Sequence, residues 1–206
     1  MGPKSKTDYD IIIAGGGMIG TSLALALAPL KLRIAVVESV ARGAAQQPSF
    51  DDRSTALSRS SQRMFEAMGL WPDIVAASTP IKSIHVSDKG RFGFSHIDAV
   101  QQKVEALGYV VINRVLGQVL QDALTKVDGI DFICPGTITA VTTTGNQVDV
   151  IVENDKSRSL SCDLLVAADG ANSAVRDMIG ISASRVDYEQ WAVIGNVLPE
   201  KYITLE

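Results

Sequence analysis

The stretch YDIIIAGGGMIG, residues 9–20, decides how the sequence is interpreted. A run without charged residues extends over positions 11–30, which is long enough to cross a bilayer as a helix. Lys4 and Lys6 precede it, so an export signal is a second alternative. Three consecutive glycines interrupt the run, and each costs about 1 kcal/mol in a helix. We therefore interpret the run as a buried strand, a glycine turn and a helix.

Two β-branched segments flank a segment rich in alanine and leucine. Residues 9–14 and 33–38 are short, apolar and without alternation, which is typical of parallel strands buried on both faces. Residues 18–27 lie between them and predict a helix that ends near Pro29. Together these segments predict one βαβ unit.

The glycines of the turn have the spacing that a dinucleotide requires. Gly15, Gly17 and Gly20 fit the pattern G-x-G-x-x-G between the predicted strand and helix. The first glycine permits the tight turn, the second lets a pyrophosphate approach the backbone, and the third lets helix and strand pack closely. The N-terminus of the helix offers free N–H groups and a positive dipole to the phosphates.

A carboxylate at the end of the second strand supports this interpretation. Glu38 is positioned to accept hydrogen bonds from the ribose hydroxyls of an adenosine. The same carboxylate would repel a 2′-phosphate, which argues against NADP as the primary cofactor. The βαβ unit by itself leaves NAD and FAD open.

The order of the later segments favours FAD. A polar loop at 41–55, helices at 58–68 and 113–127, and an antiparallel meander at 130–162 precede the next apolar strand, DLLVAADG. We interpret DLLVAADG as a third, separate buried strand, and Asn113 as the cap of the second helix. A simple NAD domain would continue at once with further βα units. A meander in place of a crossover helix resembles FAD-binding folds of the two-dinucleotide type.

Charge and cysteine usage exclude other classes. The net charge of −4 gives no electrostatic reason to expect nucleic acid or an anionic membrane surface. The cysteines, Cys134 and Cys162, lack the spacing of a metal site or a disulfide framework, so we expect no metal and a reduced, cytoplasmic setting.

The segment DLLVAADGANSAVR, residues 163–176, carries a second motif. An apolar strand is followed by Asp169 and Gly170, then by Ser173 and Arg176 at the start of a helix. The aspartate can bind a sugar hydroxyl or an ordered water, the glycine permits a tight turn, and the arginine supplies a cation near phosphate. The motif resembles that of the flavoprotein aromatic hydroxylases, the para-hydroxybenzoate hydroxylase class.

Three further segments narrow the resemblance. Residues 51–71, 107–124 and 187–197 resemble segments of the ubiquinone-biosynthesis subgroup, the 2-octaprenyl-6-methoxyphenol hydroxylases. The resemblance implies that Arg53 lies near the middle portion of the flavin and Arg114 near the pyrophosphate or ribityl chain. A loop salt bridge for Arg53 and a first-turn helix charge for Arg114 are the alternatives.

The resemblance also implies a fold and a domain organisation. We expect an α/β fold: a Rossmann-like FAD-binding domain of the two-dinucleotide type with a β-meander, plus the beginning of a substrate-domain β-sheet. The expected division assigns 8–80 and 98–180 to the FAD-binding domain, 81–97 and 181–206 to the partial substrate sheet, and 1–7 to a disordered tail. Residues 81–97 carry a hairpin signal around Asp88-Lys89-Gly90.

The implied activity is an NAD(P)H-dependent hydroxylation. FAD reduced by NAD(P)H would use O₂ to hydroxylate an aromatic substrate, a prenylated phenol, and no acid–base pair is required from this chain. His85 and His96 are therefore expected to be surface or packing residues, and Tyr109, Tyr188 and Trp191 core or sheet residues. Epoxidation, halogenation or prenyl reduction on the same scaffold, and a non-catalytic nucleotide-binding module, are the alternatives.

The sequence departs from the family in length. Members of the family are about twice as long, and their second flavin motif, a Gly-Asp pair, does not occur in these 206 residues. We therefore expect the chain to be an N-terminal fragment that is inactive alone and binds FAD weakly. Uncovered sheet edges would favour a homo-oligomer. A cytoplasmic protein, peripheral to the inner membrane or in a biosynthetic complex, fits the implied substrate.

Overall fold

The elements predicted around the glycine turn are present in the computed structural model, which describes residues 7–41, 44 and 51–195. The strands are β1 (Tyr9–Ala14), β2 (Ile34–Val37), β3 (Ser54–Ser58), β4 (Ser78–Ile81), β5 (Ser83–Ser87), β6 (Phe94–Asp98), β7 (Gly108–Ile112), β8 (Ile130–Ile133), β9 (Thr137–Thr144), β10 (Gln147–Glu153) and β11 (Ser157–Ala167). The helices are α1 (Met18–Leu27), α2 (Arg59–Ala67), α3 (Trp71–Val75), α4 (Asn113–Leu124) and α5 (Ala174–Met178), with a short 3-10 turn at Ala28–Leu30.

The largest sheet has the order β8-β2-β1-β11-β10-β9. Strands β8, β2, β1 and β11 run parallel to their neighbours, whereas β11, β10 and β9 form antiparallel pairs. The predicted βαβ unit is confirmed, because β1 pairs in parallel with β2 on either side of α1 in the chain. The fold is therefore the expected Rossmann-like α/β type with a β-meander.

Strand β11 corrects the predicted division of the meander. Its first half pairs antiparallel with β10, from Ser157 to Cys162, and its second half pairs in parallel with β1, up to Ala167. The return strand of the meander and the strand of DLLVAADG are thus one strand, which continues through Cys162 and Asp163 without a turn. The prediction that DLLVAADG is buried is also wrong in part, because Leu164 is 52% exposed.

Strand β8 is a second correction to the meander. We predicted that the antiparallel meander begins at residue 130, but β8 pairs in parallel with β2, with Ile34 opposite Ile130. The meander proper is β9, β10 and the first half of β11. The strands β9 and β10 have the predicted bounds and meet at Gly145 and Asn146.

Strand β1 is buried on both faces, which explains its uninterrupted apolar sequence. Ile11 and Ile13 pack into one cluster with residues of α1 and α4, while Ile12 and Ala14 pack into the other with residues of the meander and α5. A strand with a core on each side has no polar face, so its side chains do not alternate. Burial in the sheet therefore accounts for the apolar run that first suggested a membrane helix. Within the described ranges, no helix is long and apolar enough to span a bilayer.

Helix α2 begins and ends at the predicted signals, whereas helix α4 does not. Ser58 caps α2 by accepting a hydrogen bond from the N–H of Ser61, and Gly69 follows the helix with a φ of +72°. Asn113, the predicted cap of α4, is instead the first residue of that helix. Its side chain donates to Asp51 and accepts from Thr55, so it is occupied by tertiary contacts. Helix α4 ends at Leu124, before the predicted 127.

The remaining strands form two small sheets, β3-β7-β4 and the hairpin β5-β6. The hairpin is confirmed, and His85 lies opposite His96 on its exposed surface, where His85 stacks on Phe94 at 5.3 Å. Strand β3 begins at Ser54, inside the predicted loop at 41–55, of which 42, 43 and 45–50 lie outside the described residues.

The second segment that we assigned to the substrate sheet, 181–206, lies only partly within the described residues. Residues 181–195 contain no strand, and positions 196–206 lie outside the described residues. Tyr188 and Trp191, expected in a core or sheet, are 78% and 97% exposed, whereas Tyr109 is buried. A single segment cannot form a sheet without a partner strand, and no strand pairs with it in the described part of the chain. The hairpin β5-β6 lies in the other segment that we assigned to this sheet, 81–97, and its place in a substrate sheet stays a prediction.

The predicted disordered tail is ordered at its last residue. Positions 1–6 lie outside the described residues, but Thr7 is buried and its carbonyl oxygen accepts a hydrogen bond from the Arg33 guanidinium at 2.5 Å. Arg33 also forms an ion pair with Asp10 at 2.6 Å. These contacts fix the chain just before β1.

Tyr9, at the start of β1, gives a testable pH dependence. Its hydroxyl donates to Asp131 at 2.7 Å, and burial together with this hydrogen bond raises the pKa of Tyr9 to about 12. Because the folded-state pKa lies above the ordinary value of about 10, the stabilisation is complete below pH ~10 and is lost as the pH rises towards 12. We expect Tyr9→Phe to cost about 1 kcal/mol at pH 8 in urea unfolding, with a difference that shrinks above pH ~10.

The control for this prediction is Tyr188→Phe, since Tyr188 is exposed. It should leave the free energy of unfolding unchanged at both pH values. A cost of Tyr9→Phe that is the same at pH 8 and pH 11 would contradict the role of the Tyr9 hydroxyl.

Candidate dinucleotide-binding site

A cleft of about 400 Å³ lies at the carboxyl ends of β1, β2 and β11. The carboxyl edge of an open parallel sheet is where α/β proteins bind ligands. Five residues that the sequence predicted line this cleft: Gly15, Gly17, Glu38, Asp169 and Gly170. The rest of the lining comes mainly from the start of β9 and the segment that leads into α5.

Gly15 lets the turn after β1 touch the end of β11. Its φ is +100°, and a Cβ there would overlap the carbonyl oxygen of Ala168 and lie 2.9 Å from the Cα of Asp169. The two segments are joined to the sheet by backbone bonds, from Gly15 N–H to Val37 O at 2.8 Å and from Ala168 N–H to Ala14 O at 2.7 Å. Any side chain at this position would separate the two motifs that form the cleft.

Gly20 lies inside α1 and faces the turn. A Cβ there would overlap the carbonyl oxygen of Gly15 and lie 3.2 Å from the Cγ2 of Ile13. This matches the predicted role of the third glycine, close packing of the helix on the strand. Gly20 supports the cleft from behind and is not among the residues that line it.

Gly16, the middle glycine of the three, was not singled out from the sequence. A Cβ at Gly16 would lie 2.8 Å from both the Cβ of Glu38 and the Cε2 of Phe132. The extra glycine in GGG is the signal that could have identified it, because the G-x-G-x-x-G pattern leaves that position free.

Two backbone N–H groups hold the carboxylate of Glu38. The residue is 8% exposed, and its Oε2 accepts from Gly16 N–H at 2.7 Å while its Oε1 accepts from Val40 N–H at 2.7 Å. Each carboxylate oxygen has further lone pairs for a ligand hydroxyl. The carboxylate thus fixes the glycine turn and lines the cleft at the same time.

Asp169 lines the cleft, and one of its carboxylate oxygens is an acceptor without a partner in the described part of the chain. Its Oδ2 accepts from Val175 N–H at 3.2 Å, while its Oδ1 is buried and has no hydrogen-bond partner within the described ranges. Buried polar atoms without partners are rare in folded proteins and need an explanation. Gly170, with a φ of +86°, turns the chain directly after this aspartate.

Ser173 caps the helix after the Asp-Gly turn. Ser173 accepts a hydrogen bond from Arg176 N–H at 3.0 Å at the start of α5. The Arg176 guanidinium binds the carbonyl oxygen of Ala171 at 2.9 Å and the carboxylate of Asp177. Arg176 is not among the residues that line the cleft, so the structure does not bring its charge there.

Arg53 and Arg114 also lie outside the cleft lining. Arg53 forms a salt bridge with Asp51 at 2.5 Å, and Arg114, in the first turn of α4, pairs with Asp52 at 3.1 Å. Desolvation acts to raise the pKa of Asp51, but the hydrogen bonds from Arg53 and Asn113 outweigh it and hold that pKa below its ordinary value. Arg53 thus forms the loop salt bridge, and Arg114 is the first-turn helix charge, that we gave as alternatives. The contact of both arginines with a flavin stays a prediction.

The cleft residues fit a dinucleotide. Three glycines remove the side chains that would fill the turn, Glu38 lies at the end of β2, and Asp169 offers a buried acceptor without a partner in the described part of the chain. Gly17 opens α1 without a side-chain cap, which leaves N–H groups of the first turn for a phosphate. In the same described ranges, no group of three or more His, Cys, Asp or Glu residues could hold a metal ion.

Fold and site together define a Rossmann-like dinucleotide-binding domain. Residues 8–203 match the family model described as an FAD binding domain, and the chain belongs to this family.

Curated relatives agree with this assignment. The chain is 30% identical over 192 residues to a ubiquinone hydroxylase, UbiL, from Rhodospirillum rubrum, covering 93% of this chain and 44% of the relative. It is also 30% identical over 194 residues to the 3-demethoxyubiquinol 3-hydroxylase of Escherichia coli, covering 91% of this chain and 48% of that relative. The chain therefore spans less than half the length of these relatives.

Solved structures share the fold. The p-nitrophenol 4-monooxygenase PnpA from Pseudomonas putida superposes with a TM-score of 0.72 at 21% identity, over 85% of this chain and 44% of that one. The flavin-dependent monooxygenase PieE, solved in complex with FAD and substrate, gives a TM-score of 0.70 at 17% identity, over 86% of this chain and 32% of that one.

Proposed function

We propose that this chain is the FAD-binding part of a flavin-dependent monooxygenase that hydroxylates an aromatic substrate. The observation that carries the proposal is the buried Oδ1 of Asp169, an acceptor without a partner among the described residues, in a cleft that the glycine turn and Glu38 share. A hydroxyl group of a bound FAD would supply the missing donor. The family and the ubiquinone hydroxylase relatives support this choice of ligand.

Each residue of the cleft has a distinct part in binding. Gly15 and Gly17 leave room for the pyrophosphate, and the start of α1 presents N–H groups to it. Glu38 accepts from ribose hydroxyls, and Asp169 accepts from a further hydroxyl of the ligand. When bound, FAD supplies the redox chemistry, accepting electrons and activating O₂ for transfer of an oxygen atom to the ring. The chain contributes binding and orientation.

The substrate class follows from the relatives. Both act on ubiquinone or a ubiquinol precursor by name, so we propose a prenylated phenol of ubiquinone biosynthesis as the substrate and NAD(P)H as the electron donor. A substrate with a prenyl tail favours peripheral association with a membrane or a biosynthetic complex, and we include this association and self-association in the proposal. Activity belongs to the complete protein, because these relatives are more than twice as long as the matched segment.

The test of the proposal is titration of the purified chain with FAD, followed by flavin absorption and fluorescence. FAD and ADP should compete for the cleft, whereas FMN, which lacks the adenosine that Glu38 would hold, should bind far more weakly. Equal binding of FMN and FAD, or no FAD binding by a folded chain that includes the rest of the protein, would refute the proposed function.

Asp169→Asn separates binding from stability. Asparagine keeps an oxygen for Val175 N–H but replaces the unused carboxylate oxygen with an NH₂ donor. We expect FAD affinity to fall by about tenfold or more, since a hydrogen bond to a charged group contributes about 1.5–3 kcal/mol. The free energy of unfolding without ligand should change by less than about 1 kcal/mol, because the bond to Val175 remains.

The matched control is Asp88→Asn in the exposed hairpin turn, which should change neither quantity. If Asp169→Asn lowers stability as much as it lowers affinity, Asp169 is a structural corner residue and the proposed contact is wrong.

A further inference from the structure

The N–H groups of the three turn glycines have different partners. Gly15 donates to Val37 O, and Gly16 donates to the Glu38 carboxylate. No hydrogen bond from the Gly17 N–H is found within the described ranges of the chain, although Gly17 lines the cleft. Backbone N–H groups in folded proteins almost always have an acceptor. The Gly17 N–H can therefore serve a ligand, provided that it points into the cleft.

Thr21 binds the peptide group between Gly16 and Gly17, which contains the Gly17 N–H. It is a polar residue in α1 with 1% exposure, and its hydroxyl donates to the carbonyl oxygen of Gly16 at 2.9 Å. A threonine in a helix usually bonds the carbonyl oxygen four residues before it. Here that oxygen, of Gly17, accepts the N–H of Thr21 at 3.0 Å, and the hydroxyl reaches one residue further back, into the turn.

Peptide geometry links the two groups. In a planar trans peptide the C=O of one residue and the N–H of the next point in opposite directions. The bond from Thr21 therefore fixes the Gly16 carbonyl on the helix side and directs the Gly17 N–H away from it. The carbonyl oxygen of Gly15 also lies on the helix side, against Gly20, so the turn presents its carbonyl oxygens to α1.

We propose that Thr21 is a positioning residue, which holds the Gly16–Gly17 peptide so that the Gly17 N–H is available to a phosphate group in the cleft. The inference rests on the proposed function, since the phosphate is that of a bound dinucleotide. Thr21 does not line the cleft and acts through the backbone. The buried hydroxyl holds the Gly16 carbonyl oxygen, which a valine or an alanine at this position could not do.

Three variants separate the hydroxyl from the packing. Thr21→Ser keeps the hydroxyl and removes a methyl group, Thr21→Val keeps the size and removes the hydroxyl, and Thr21→Ala differs from Thr21→Ser by the hydroxyl alone. We expect Thr21→Ser to bind ADP and FAD like the wild type, and Thr21→Val and Thr21→Ala to bind both about tenfold more weakly. Adenosine, which has no phosphate, should bind all four proteins equally.

The amide resonance of Gly17 gives a readout of the turn, and comparison with Thr21→Ser, which alters the packing but keeps the hydroxyl, separates the two causes. In the wild type and Thr21→Ser it should shift on addition of ADP and hardly on addition of adenosine. In Thr21→Val and Thr21→Ala the resonance should already differ before ligand is added. A folded Thr21→Ala with wild-type ADP affinity and an unmoved Gly17 resonance would overturn the inference while leaving FAD binding intact. If a folded chain that includes the rest of the protein binds neither FAD nor ADP, the proposed function fails, and the role of Thr21 fails with it.

Discussion

Replacing Gly20 with alanine is expected to destabilise the chain by about 3 kcal/mol or to prevent folding. Helix propensity alone predicts the opposite, because alanine is better than glycine inside a helix by about 1 kcal/mol. The new Cβ would overlap the carbonyl oxygen of Gly15 and approach the side chain of Ile13 at 3.2 Å. The first of these contacts is with backbone, so no side-chain rotation can relieve it. Urea unfolding followed by circular dichroism measures the effect.

Gly69→Ala is the control for this prediction. Gly69 follows helix α2, and a Cβ there would have no atom within 4 Å, so only its φ of +72° opposes a side chain. Its cost should be that of a left-handed residue, about 1–2 kcal/mol. If Gly20→Ala is as stable as the wild type, helix α1 does not pack against the turn as closely as described.

The predictions that succeeded rest on local sequence signals. Strand β1 and helix α1 have the predicted bounds, because the β-branched run, the glycines and the alanine-rich segment each have one compatible conformation. Glu38 and Asp169 share a cleft for a topological reason. Each follows a parallel strand of one sheet, and the carboxyl ends of parallel strands meet at the same edge.

The predictions that failed depend on contacts distant in sequence. Asn113 has the composition of a helix cap, but its side chain is taken by Asp51 and Thr55, more than fifty residues earlier. Strand β11 changes partners along its length, from β10 to β1, and nothing in its own sequence marks the change. The local sequence indicates which element a segment can form, but contacts with distant segments decide which strands pair and which side chains are free to cap a helix.

The proposed role of Thr21 could not be predicted from the local sequence either. A threonine in an apolar helix is unremarkable in sequence, and its hydroxyl has a carbonyl four residues back as the default acceptor. Its bond to Gly16 O exists because the glycine turn folds that carbonyl against the helix. The motif therefore predicts where a phosphate would lie, and only the folded turn identifies the side chain that orients the donor.

Glu38→Gln is expected to lower both stability and dinucleotide affinity. Each oxygen of the Glu38 carboxylate accepts one backbone N–H, from Gly16 and from Val40, at 2.7 Å in both cases. A glutamine has one oxygen and one NH₂ group, so one of the two N–H donors would face another donor in a buried place. Leaving a buried donor without an acceptor costs about 1–3 kcal/mol, and we expect a loss of that size in urea unfolding.

The loss of affinity has a separate cause from the loss of stability. The carboxylate would accept from ribose hydroxyls with the lone pairs that Gly16 and Val40 leave free, and glutamine offers fewer of them. We therefore expect adenosine, ADP and FAD to bind about tenfold more weakly, measured at a temperature where the variant is folded. This pattern differs from that of Thr21→Ala, which should spare adenosine.

Glu153→Gln on the exposed face of β10 is the matched control, and it should change stability by less than about 0.5 kcal/mol. Two outcomes would contradict the role of Glu38. A Glu38→Gln variant as stable as the wild type would mean that its carboxylate does not join the glycine turn to the segment after β2. A destabilised variant that binds adenosine with unchanged affinity would limit Glu38 to holding the turn, and the ribose would have to be bound by other residues of the cleft.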